Sequence, residues 1–290
     1  MLEELNTFVV VAELKNFTKA GEQLNISQPT VSLHIKRLEE YFSERFIIRS
    51  RHQKRPQLTA AGERMYHQAK KMLSLWKYTY NYVKDDFAGG GSITIGVTFT
   101  IGEYFLPEFL GDFNKRFPEI RVEVEIGNTQ KIGELLSNYK IDAAIVEGDI
   151  TDERFERKHL YEDKLVIIAP AAQKLCSLMD ERWIIREKGS GTRSQWEQLI
   201  GRELTELKFK PLIMNSNFAV KEAVRNNLGV ALISEYIAES AVRNNEVIIR
   251  RDAIQGKRFF DLLLIKDNKY NRIIDIFSEE IGSYFKKKGK

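Results

Sequence analysis

Residues 17–32 constrain the fold of this chain more than any other segment. Their sequence, Phe-Thr-Lys-Ala-Gly-Glu-Gln-Leu-Asn-Ile-Ser-Gln-Pro-Thr-Val-Ser, predicts two short helices separated by a turn at Asn25. Thr18 and Ser27 are the expected N-caps of the two helices, and Pro29 suits the first turn of a helix because no N–H is needed there. Two helices joined by so short a turn are typical of a helix-turn-helix.

The flanking segments predict the rest of a small winged domain. Apolar residues recur at helical spacing from Met1 to about Lys15, which predicts an amphipathic first helix. Short strands are expected at Phe46–Arg49 and Gln57–Leu58, with a basic turn between them. We therefore predict a winged helix-turn-helix over residues 1–58.

The side chains of this domain suit contact with DNA. The net charge of +4 is too small to indicate nucleic-acid binding by itself, but five basic residues and no acidic one lie between Arg45 and Gly62. Amide and hydroxyl groups on the third helix can hydrogen-bond base edges or phosphates, and its cations can neutralise phosphate charge. The candidate DNA-binding residues are Thr18, Ser27, Gln28, Pro29, Thr30, Ser32, His34, Lys36, Arg37, Arg49, Arg51, Lys54 and Arg55. A three-helix protein-binding module is the alternative interpretation.

A long helix is predicted after the winged domain. The helical pattern runs from Thr59, its expected N-cap, to about Phe87, and Gly89–Gly91 ends it. About 28 residues would form a helix about 42 Å long. Apolar positions alternate at intervals of four and three, as in a coiled-coil seam, so residues 59–90 are expected to form a dimerising linker and hinge. The candidate dimerisation residues are Met65, Ala69, Met72, Trp76, Thr79 and Val83. Packing on the chain's own second domain is the alternative.

The composition argues against several classes of protein. With 43% hydrophobic and 30% charged residues, the 290-residue chain is typical of soluble globular proteins. No apolar run approaches the ~20 residues that cross a bilayer. Glu3 and Glu4 differ from the basic start of a secretory signal, so we expect a cytoplasmic protein with no membrane contact. A single cysteine, Cys176, and four scattered histidines predict no disulfide, no metal site and no cofactor.

Strands and helices alternate over residues 91–290, which predicts an α/β effector domain with a parallel sheet. The expected strands lie at 93–97, 122–126, 143–146, 165–169, 183–185 and 230–233. The expected helices lie at 101–117, 132–139, 193–201 and 218–226. Periodicity leaves open whether this region forms one domain or two lobes.

The candidate effector site lies where these strands end and the next helices begin, because open α/β sheets bind ligands there. Residues 189–193, Gly-Ser-Gly-Thr-Arg, give the clearest signal, since glycines let backbone N–H groups converge and the other side chains add hydroxyls and charge. The candidate effector-binding residues are Thr98, Phe99, Thr100, Asn128, Thr129, Glu147, Gly189, Ser190, Gly191, Thr192, Arg193 and Asn215. They predict a site for a small oxyanion or a short carboxylate. A tight turn capped by Ser190 or Thr192 is the alternative.

Residues 17–32, followed by Leu38-Glu39 and residues 58–62, resemble the DNA-binding signature of LysR-type transcription regulators. Two departures are Ser43, where family members usually have glycine, and Phe-Ile-Ile-Arg at 46–49, where they usually have Leu-Phe-x-Arg. The resemblance implies double-stranded DNA as a partner, a homodimer or homotetramer, and RNA polymerase as a further candidate partner. Two winged domains linked by the dimerising helix would bind two half-sites, so an operator with interrupted dyad symmetry is expected.

The same resemblance implies an effector domain of two lobes, like periplasmic binding proteins. Lobe I would comprise about 91–161 and 266–290, and lobe II about 162–265, with the chain crossing near Tyr161 and returning near Lys266.

Residues 185–193, Ile-Arg-Glu-Lys-Gly-Ser-Gly-Thr-Arg, are similar to a motif in the CysL-like group of this family, whose members control sulfite reductase genes. Regulators of carbon-dioxide fixation carry a related loop. The similarity implies sulfite or a related sulfur oxyanion as effector and sulfur assimilation genes as targets. A carboxylate or phosphorylated metabolite of carbon metabolism is the alternative effector.

Two other classes of function remain as alternatives. An enzyme on the same two-lobed fold would need a nucleophile, an acid–base pair or a cofactor site. Cys176 has no histidine near it in sequence, and residues 189–191 lack the Gly-x-Ser-x-Gly spacing, so no catalytic residue is predicted. A ligand-independent architectural DNA binder would differ from a regulator by its lack of response to a small anion.

Overall fold

The computed structural model describes residues 1–48, 56–84, 91–171, 177–200, 207–250, 256–266 and 272–289. The chain divides into two compact units, Met1–Asp86 and Phe87–Lys290. No described helix combines the length and the apolar composition that a membrane crossing needs.

The first unit is a winged helix-turn-helix followed by a long helix. Its elements are α1 (Leu2–Leu14), α2 (Phe17–Leu24), α3 (Gln28–Phe42), β1 (Ile47–Ile48), β2 (Gln57–Leu58) and α4 (Ala60–Lys84). Strands β1 and β2 pair antiparallel, as the predicted hairpin requires. The helix-turn-helix is confirmed, with Asn25 in the left-handed region at the end of α2.

Two of the three expected helix caps are confirmed and one is wrong. Ser27 Oγ accepts the N–H of Thr30 at 3.2 Å, and Thr59 Oγ1 accepts the N–H of Gly62 at 2.8 Å. Thr18 does not cap α2. Asn16 Oδ1 accepts the N–H groups of Thr18 and the following residue at 2.9 and 3.0 Å, so the N-cap lies two residues earlier than expected.

The core of the first unit joins α1, α3, β1 and the first half of α4. Ala69 of α4 is fully buried in this core and Met65 packs against it. These two residues were expected in a dimer seam. Ala69 is therefore not available to a partner helix, because α1 and its neighbours already cover it, and Met65 is partly covered in the same way.

The second unit contains nine strands and seven helices among its described residues. The strands are β3 (Ser92–Thr98), β4 (Arg121–Gly127), β5 (Ala143–Glu147), β6 (Phe155–Pro170), β7 (Ile184–Arg186), β8 (Leu212–Met214), β9 (Ala231–Ser234), β10 (Val247–Ile249) and β11 (Gly256–Ile265). The helices are α5 (Phe99–Tyr104), α6 (Leu106–Arg116), α7 (Thr129–Ser137), α8 (Gly191–Leu199), α9 (Asn217–Arg225), α10 (Glu235–Arg243) and α11 (Arg272–Lys288). The single helix expected over 101–117 is instead two helices, because Pro107 at the start of α6 cannot continue α5.

The main sheet is mixed, so the prediction of a parallel sheet is wrong in part. Strand β3 pairs in parallel with β4 and β5. Strand β11 pairs antiparallel with β5 and β6, and β6 pairs antiparallel with β9 and β10. The strand order is β10-β6-β11-β5-β3-β4, with β9 also paired to β6. A separate two-stranded parallel sheet joins β7 and β8.

Two long strands connect the two lobes of this unit. The second half of β6 pairs with β9, whereas residues 260–264 of β11 pair with β5 in the first lobe. Strand β11 therefore reaches the first lobe near Phe260, before the return that was predicted near Lys266. Phe260 and Leu262 accordingly pack with β3, α6 and α11.

Candidate functional site

The exposed face of α3 carries the polar residues that were expected to contact DNA. Gln28, Ser32 and Lys36 follow one another at intervals of four residues, in a row about a quarter-turn around α3 from the buried Val31 and Ile35. Gln28 and Lys36 are exposed and Ser32 is half-buried. Gln28 Nε2 donates to Ser32 Oγ at 2.9 Å. An amide, a hydroxyl and an ammonium group are thus presented in one row on the second helix of the helix-turn-helix.

The other candidates at the start of this motif have mixed roles. Thr18 and Pro29 are exposed. Ser27 Oγ lies 2.8 Å from Thr30 Oγ1 in addition to capping α3, so these two hydroxyls first stabilise the helix start. Arg37 is exposed on the side of α3 that faces Glu4, at 4.0 Å.

His34, one of the candidate DNA-binding residues, makes a structural contact within the domain. Its Nδ1 lies 2.9 Å from Oγ1 of Thr7, a buried residue of α1. The Thr7 hydroxyl donates to the carbonyl oxygen of Glu3 at 2.8 Å, so it accepts its second hydrogen bond from His34. The imidazole therefore joins α3 to α1.

The predicted wing is anchored by Glu39, which sequence reasoning did not single out. Glu39 Oε1 accepts the N–H groups of Phe46 and Ile47 at 2.8 and 3.0 Å and so fixes β1 to α3. The signal was present, because Glu39 belongs to the Leu38-Glu39 pair of the family signature. The candidate wing residues that lie outside the described part of the chain are Arg49, Arg51, Lys54 and Arg55.

The later positions of the expected dimer seam are exposed on α4. Met72 and Trp76 are 49% and 53% exposed, which is high for large apolar side chains. Thr79 is exposed as well, and its hydroxyl donates to the carbonyl oxygen of Leu75 at 2.8 Å. The side chain of Val83 lies outside the described part of the structure.

The effector domain brings the expected hydroxyl groups together around one buried carboxylate. Glu147 is 3% exposed at the end of β5. Thr98 Oγ1 donates to its Oε2, and Thr100 Oγ1 donates to its Oε1 at 2.9 Å. Thr129 Oγ1 donates to the backbone oxygen of the same residue at 2.7 Å. Three hydroxyls from the starts of α5 and α7 thus converge on Glu147.

The second lobe closes on this cluster through the start of α8. The N–H of Gly191 donates to Thr129 Oγ1 at 3.1 Å. A Cβ atom at Gly191 would lie only 2.3 Å from the carbonyl oxygen of Glu147, so no side chain fits between α8 and β5. The alternative of a simple capped turn is not supported, because Ser190 at the N-cap position makes no side-chain cap bond and the Thr192 hydroxyl contacts another strand.

Arg258 of β11 is the central cation of the site, and sequence reasoning missed it. It is 4% exposed and donates to Asp163 Oδ2, Thr192 Oγ1 and Thr100 Oγ1 at 2.8, 2.8 and 3.2 Å. Its Nη1 also lies 3.6 Å from Glu147 Oε1. One guanidinium group therefore contacts both lobes. Little in the sequence singled it out, because β11 also carries a charged lysine and a charged aspartate.

Asp163 fixes Arg258 from the second crossing strand. Ser234 Oγ donates to Asp163 Oδ1 at 2.6 Å, while Oδ2 accepts from Arg258. Both carboxylate oxygens are thus bound, and the residue is 2% exposed. The pair Asp163–Arg258 joins β6 to β11 where these strands pass from one lobe to the other.

A second buried cation, Arg186, lies beside this network. Its Nε donates to Glu187 Oε2 at 2.8 Å, its Nη1 donates to Asn217 Oδ1, and its guanidinium carbon lies 4.9 Å from the centre of the Phe99 ring. Asn217 Nδ2 in turn donates to Thr100 Oγ1 at 3.0 Å. The expected residue Phe99 therefore contributes a cation–π contact.

Two expected effector residues point elsewhere. Arg193 Nε donates to Glu197 Oε1 at 2.6 Å along α8, and its Nη1 donates to the carbonyl oxygen of Arg186 at 3.3 Å, so its charge does not face Glu147. Asn215 is exposed and offers only its carbonyl oxygen, 3.5 Å from Arg186 Nη2. Arg258 and Asn217 supply the guanidinium and amide groups next to Thr100. Effector binding by Arg193 and Asn215 stays a prediction.

The remaining candidates shape the loops around the site. Asn128 Oδ1 caps α7 by accepting the N–H of Lys131 at 2.9 Å, and its Nδ2 donates to Glu187 Oε1 at 3.2 Å. Gly189, with φ +85°, presents its carbonyl oxygen to the N–H of Gln130 at 3.1 Å. These contacts join the loop before α8 to the start of α7.

The electrostatics of the site centre on Glu147. Burial raises the pKa of its carboxyl above the usual value, and Arg258, the Thr100 hydrogen bond and Arg186 oppose this effect while Asp163 adds to it. Among the described residues no group of three His, Cys, Asp or Glu side chains could hold a metal ion. The donors present are hydroxyl, amide and guanidinium groups, which bind anions.

Comparison with known proteins assigns both units. Residues 2–63 match the model of the bacterial regulatory helix-turn-helix protein of the lysR family, and residues 88–266 match the LysR substrate binding domain. The chain belongs to the LysR family. The resemblance found in the sequence is thereby confirmed, and this LysR-family chain is a DNA-binding transcription regulator with an effector-binding domain.

Three relatives illustrate the similarity. The transcriptional regulator CysL of Bacillus subtilis is 36% identical to this LysR-family chain over 260 residues, which are 84% of each protein. The Synechocystis CcmR regulatory domain in complex with 2-PG is 24% identical, with a TM-score of 0.59 over 68% of this chain and 98% of that domain. Full-length CbnR complexed with its target DNA is 18% identical, with a TM-score of 0.65 over 98% and 99% of the two chains. The two solved structures share the fold.

Proposed function

We propose that the effector of this regulator is a small oxyanion or short carboxylate that binds between the two lobes of the second unit. The observation that carries the proposal is the set of donors around Glu147, where two hydroxyls and the Arg258 guanidinium, from three different elements, surround one carboxylate. Donors arranged for a carboxylate also fit an external anion of similar size, and charge-assisted hydrogen bonds are among the strongest available.

The helix starts at this site support the same class of ligand. The first turn of α8 lies against the end of β5, and α7 begins beside it, with Gly191 and Thr129 in contact. Helix N-termini offer free N–H groups and a partial positive charge, both of which favour anions.

A sulfur oxyanion is the first candidate within this class. It is supported by the 36% identity to CysL and by the similarity of residues 185–193 to the CysL-like motif. A phosphorylated carboxylate is the second candidate, because the CcmR domain of the same fold binds 2-PG. Both are compact and negatively charged, and both match the hydroxyl and guanidinium donors of the site.

The chain is further proposed to act as a dimer through α4. The exposed part of the seam presents Met72 and Trp76 on the face that does not pack on α1. Exposed apolar side chains at coiled-coil spacing are stabilised when a second helix covers them. Two linked helix-turn-helix units would then bind two half-sites of an operator.

We expect the anion to act by changing how the lobes close, and through the dimer to change the spacing of the DNA-binding units. A coupling free energy of ~1–3 kcal/mol is enough for such a switch. The hydrogen bonds from Arg258 to hydroxyl groups join β11 to α5 and to α8. A ligand that binds these hydroxyls would therefore change the contacts that hold the two lobes together.

A thermal-shift titration of the full chain tests the anion site. Sulfite, sulfate, thiosulfate, oxalate and 2-phosphoglycolate are the probes, and at least one should raise the Tm with increasing concentration because it binds the folded state. Thr192→Val should lose this response, since it removes the hydroxyl at the start of α8. Thr151→Val, at an exposed position, is the matched control and should respond like the parent. The proposal fails if no probe raises the Tm or if Thr192→Val responds normally.

A further inference from the structure

The carboxylate of Glu147 already uses the donors that the proposed anion site offers. Its two oxygens accept from Thr98 and Thr100, and the residue is almost fully buried. An external anion cannot take these hydroxyls while Glu147 holds them. The site therefore contains a built-in competitor.

The Thr100 hydroxyl has only one proton to donate, so Glu147 and a ligand cannot both accept it. Its Oγ1 accepts from Asn217 Nδ2 at 3.0 Å and from Arg258 Nη2 at 3.2 Å, so its lone proton goes to Glu147 Oε1 at 2.9 Å. The hydroxyl can thus donate to one acceptor at a time. Either Glu147 or a ligand oxygen receives that proton.

The charges that face Glu147 oppose the entry of a second anion. Arg258 of β11 and Arg186 of β7 are the cations, and Asp163 of β6 is a second carboxylate. Glu187 already neutralises Arg186 at 2.8 Å, and Asp163 neutralises Arg258 at the same distance. Three carboxylates therefore face two guanidinium groups.

The other charged groups near β5 have partners of their own. Asp261 of β11, which pairs with Val146 of β5, is bound by Arg157 and His159. On α7, Lys131 lies 3.8 Å from Glu125. An added anion would consequently leave a buried excess of negative charge, which is costly in a low-dielectric site.

We propose that Glu147 is a tethered competitor of the effector, which holds the donors of the cleft in the ligand-free chain and yields them to the anion by taking up a proton. The inference rests on the proposed anion site and adds its regulation. Protonation removes the excess charge and weakens the hold of Glu147 on both hydroxyls. Burial already raises the pKa of this carboxyl, so the proton is gained more readily than by an exposed glutamate.

The linkage has a definite sign. If the anion-bound form carries one more proton, affinity rises as the pH falls, by up to about tenfold per pH unit, until Glu147 is already protonated in the free chain. At pH values above this limit, the protein takes up close to one proton for each anion that it binds.

Isothermal titration calorimetry on the full chain measures this proton directly. Sulfate, thiosulfate and oxalate serve as probes because their charge stays constant from about pH 6 to about pH 8, so any pH dependence belongs to the protein. Titrations at one pH in two buffers of different ionisation enthalpy give the number of protons taken up. We expect close to one proton, and an affinity that falls as the pH rises.

Glu147→Gln should bind the probe more tightly than the parent at the upper end of this range and should lose most of the pH dependence. Glu153→Gln, which removes one exposed carboxylate, should keep the slope of the parent. The wild-type proton count does not depend on either variant, so a Glu147→Gln chain that fails to fold leaves the test intact.

Binding without proton uptake overturns the role of Glu147 and leaves the anion site standing. Absence of binding by all three probes, at every pH, overturns both.

Discussion

Arg258 contacts residues of both lobes at the candidate site. It hydrogen-bonds Asp163, Thr100 and Thr192, which belong to three different elements. A buried cation of this kind also holds its carboxylate partners in place, because a buried charge without a counter-charge is strongly unfavourable. Its loss should therefore affect stability and anion binding together.

Arg258→Met tests this role. The variant leaves Asp163 and Glu147 without their guanidinium, and we expect the free energy of unfolding to fall by about 3–5 kcal/mol. Arg193→Met removes a cation that pairs with the half-exposed Glu197 and donates to the carbonyl oxygen of Arg186, and it should cost only about 1–2 kcal/mol. Urea unfolding of both variants measures the difference. Equal losses would show that Arg258 does not hold the site together.

The residues of the site differ in how well the sequence reveals them. Thr98, Thr100 and Thr129 could be predicted because each follows a strand and starts a helix, which are local features. Arg258 and Asp163 could not, because they meet only through the pairing of β6 with β11, and these strands are far apart in the chain. Arg193 could not be placed from the sequence, because its neighbours contact the Glu147 cluster while its own side chain bonds Glu197 on α8.

At the scale of elements, the close approach of α8 to β5 determines how the lobes meet. The contact depends on Gly191, where a Cβ atom would lie 2.3 Å from the carbonyl oxygen of Glu147. The nearest atom belongs to the backbone of β5, which cannot move aside as the end of a flexible side chain can. Any side chain at this position must therefore push the start of α8 away from Thr129 and Glu147.

Gly191→Ala should separate these elements and abolish the thermal-shift response to anions, while the protein stays folded. Gly111→Ala is the matched control, because no atom lies within 4 Å of the added Cβ in α6. That control should keep the anion response and raise stability by up to about 1 kcal/mol, as alanine favours a helix interior. An unchanged response in Gly191→Ala would show that the contact is dispensable.

The elements themselves were largely predictable where their signals are local. Capping residues and apolar spacing located α1, α3 and α4 to within a few residues. The mixed sheet was not predictable, because antiparallel pairing of β11 with β5 and β6 depends on contacts between distant segments. The break between α5 and α6 has a local cause in Pro107, and the prediction of one continuous helix over 101–117 did not take this proline into account.

At the scale of the whole molecule, α4 is the element through which two chains would meet. Its first half packs on the winged domain and buries Ala69, while Met72 and Trp76 remain exposed. The seam is thus shorter than the sequence pattern implies, and its apolar contribution is concentrated in few side chains. Trp76 offers the largest of them.

Trp76→Glu should therefore weaken dimerisation, because two chains would bring like charges and no indole into the seam. Sedimentation velocity over a dilution series should show dissociation at concentrations where the parent stays associated. Lys77→Glu, an exposed substitution one position along α4, should leave the association unchanged. Identical sedimentation of the Trp76→Glu chain and its parent would place the dimer contact elsewhere.

An anion bound between the lobes is proposed to change how the helix-turn-helix units bind DNA. Footprinting of the full chain on its operator, with and without the anion that raises the Tm, measures this change. We predict that the anion changes the length or phase of the protected region for the parent and leaves it unchanged for Thr192→Val. An identical footprint for the parent with and without saturating anion would contradict the account.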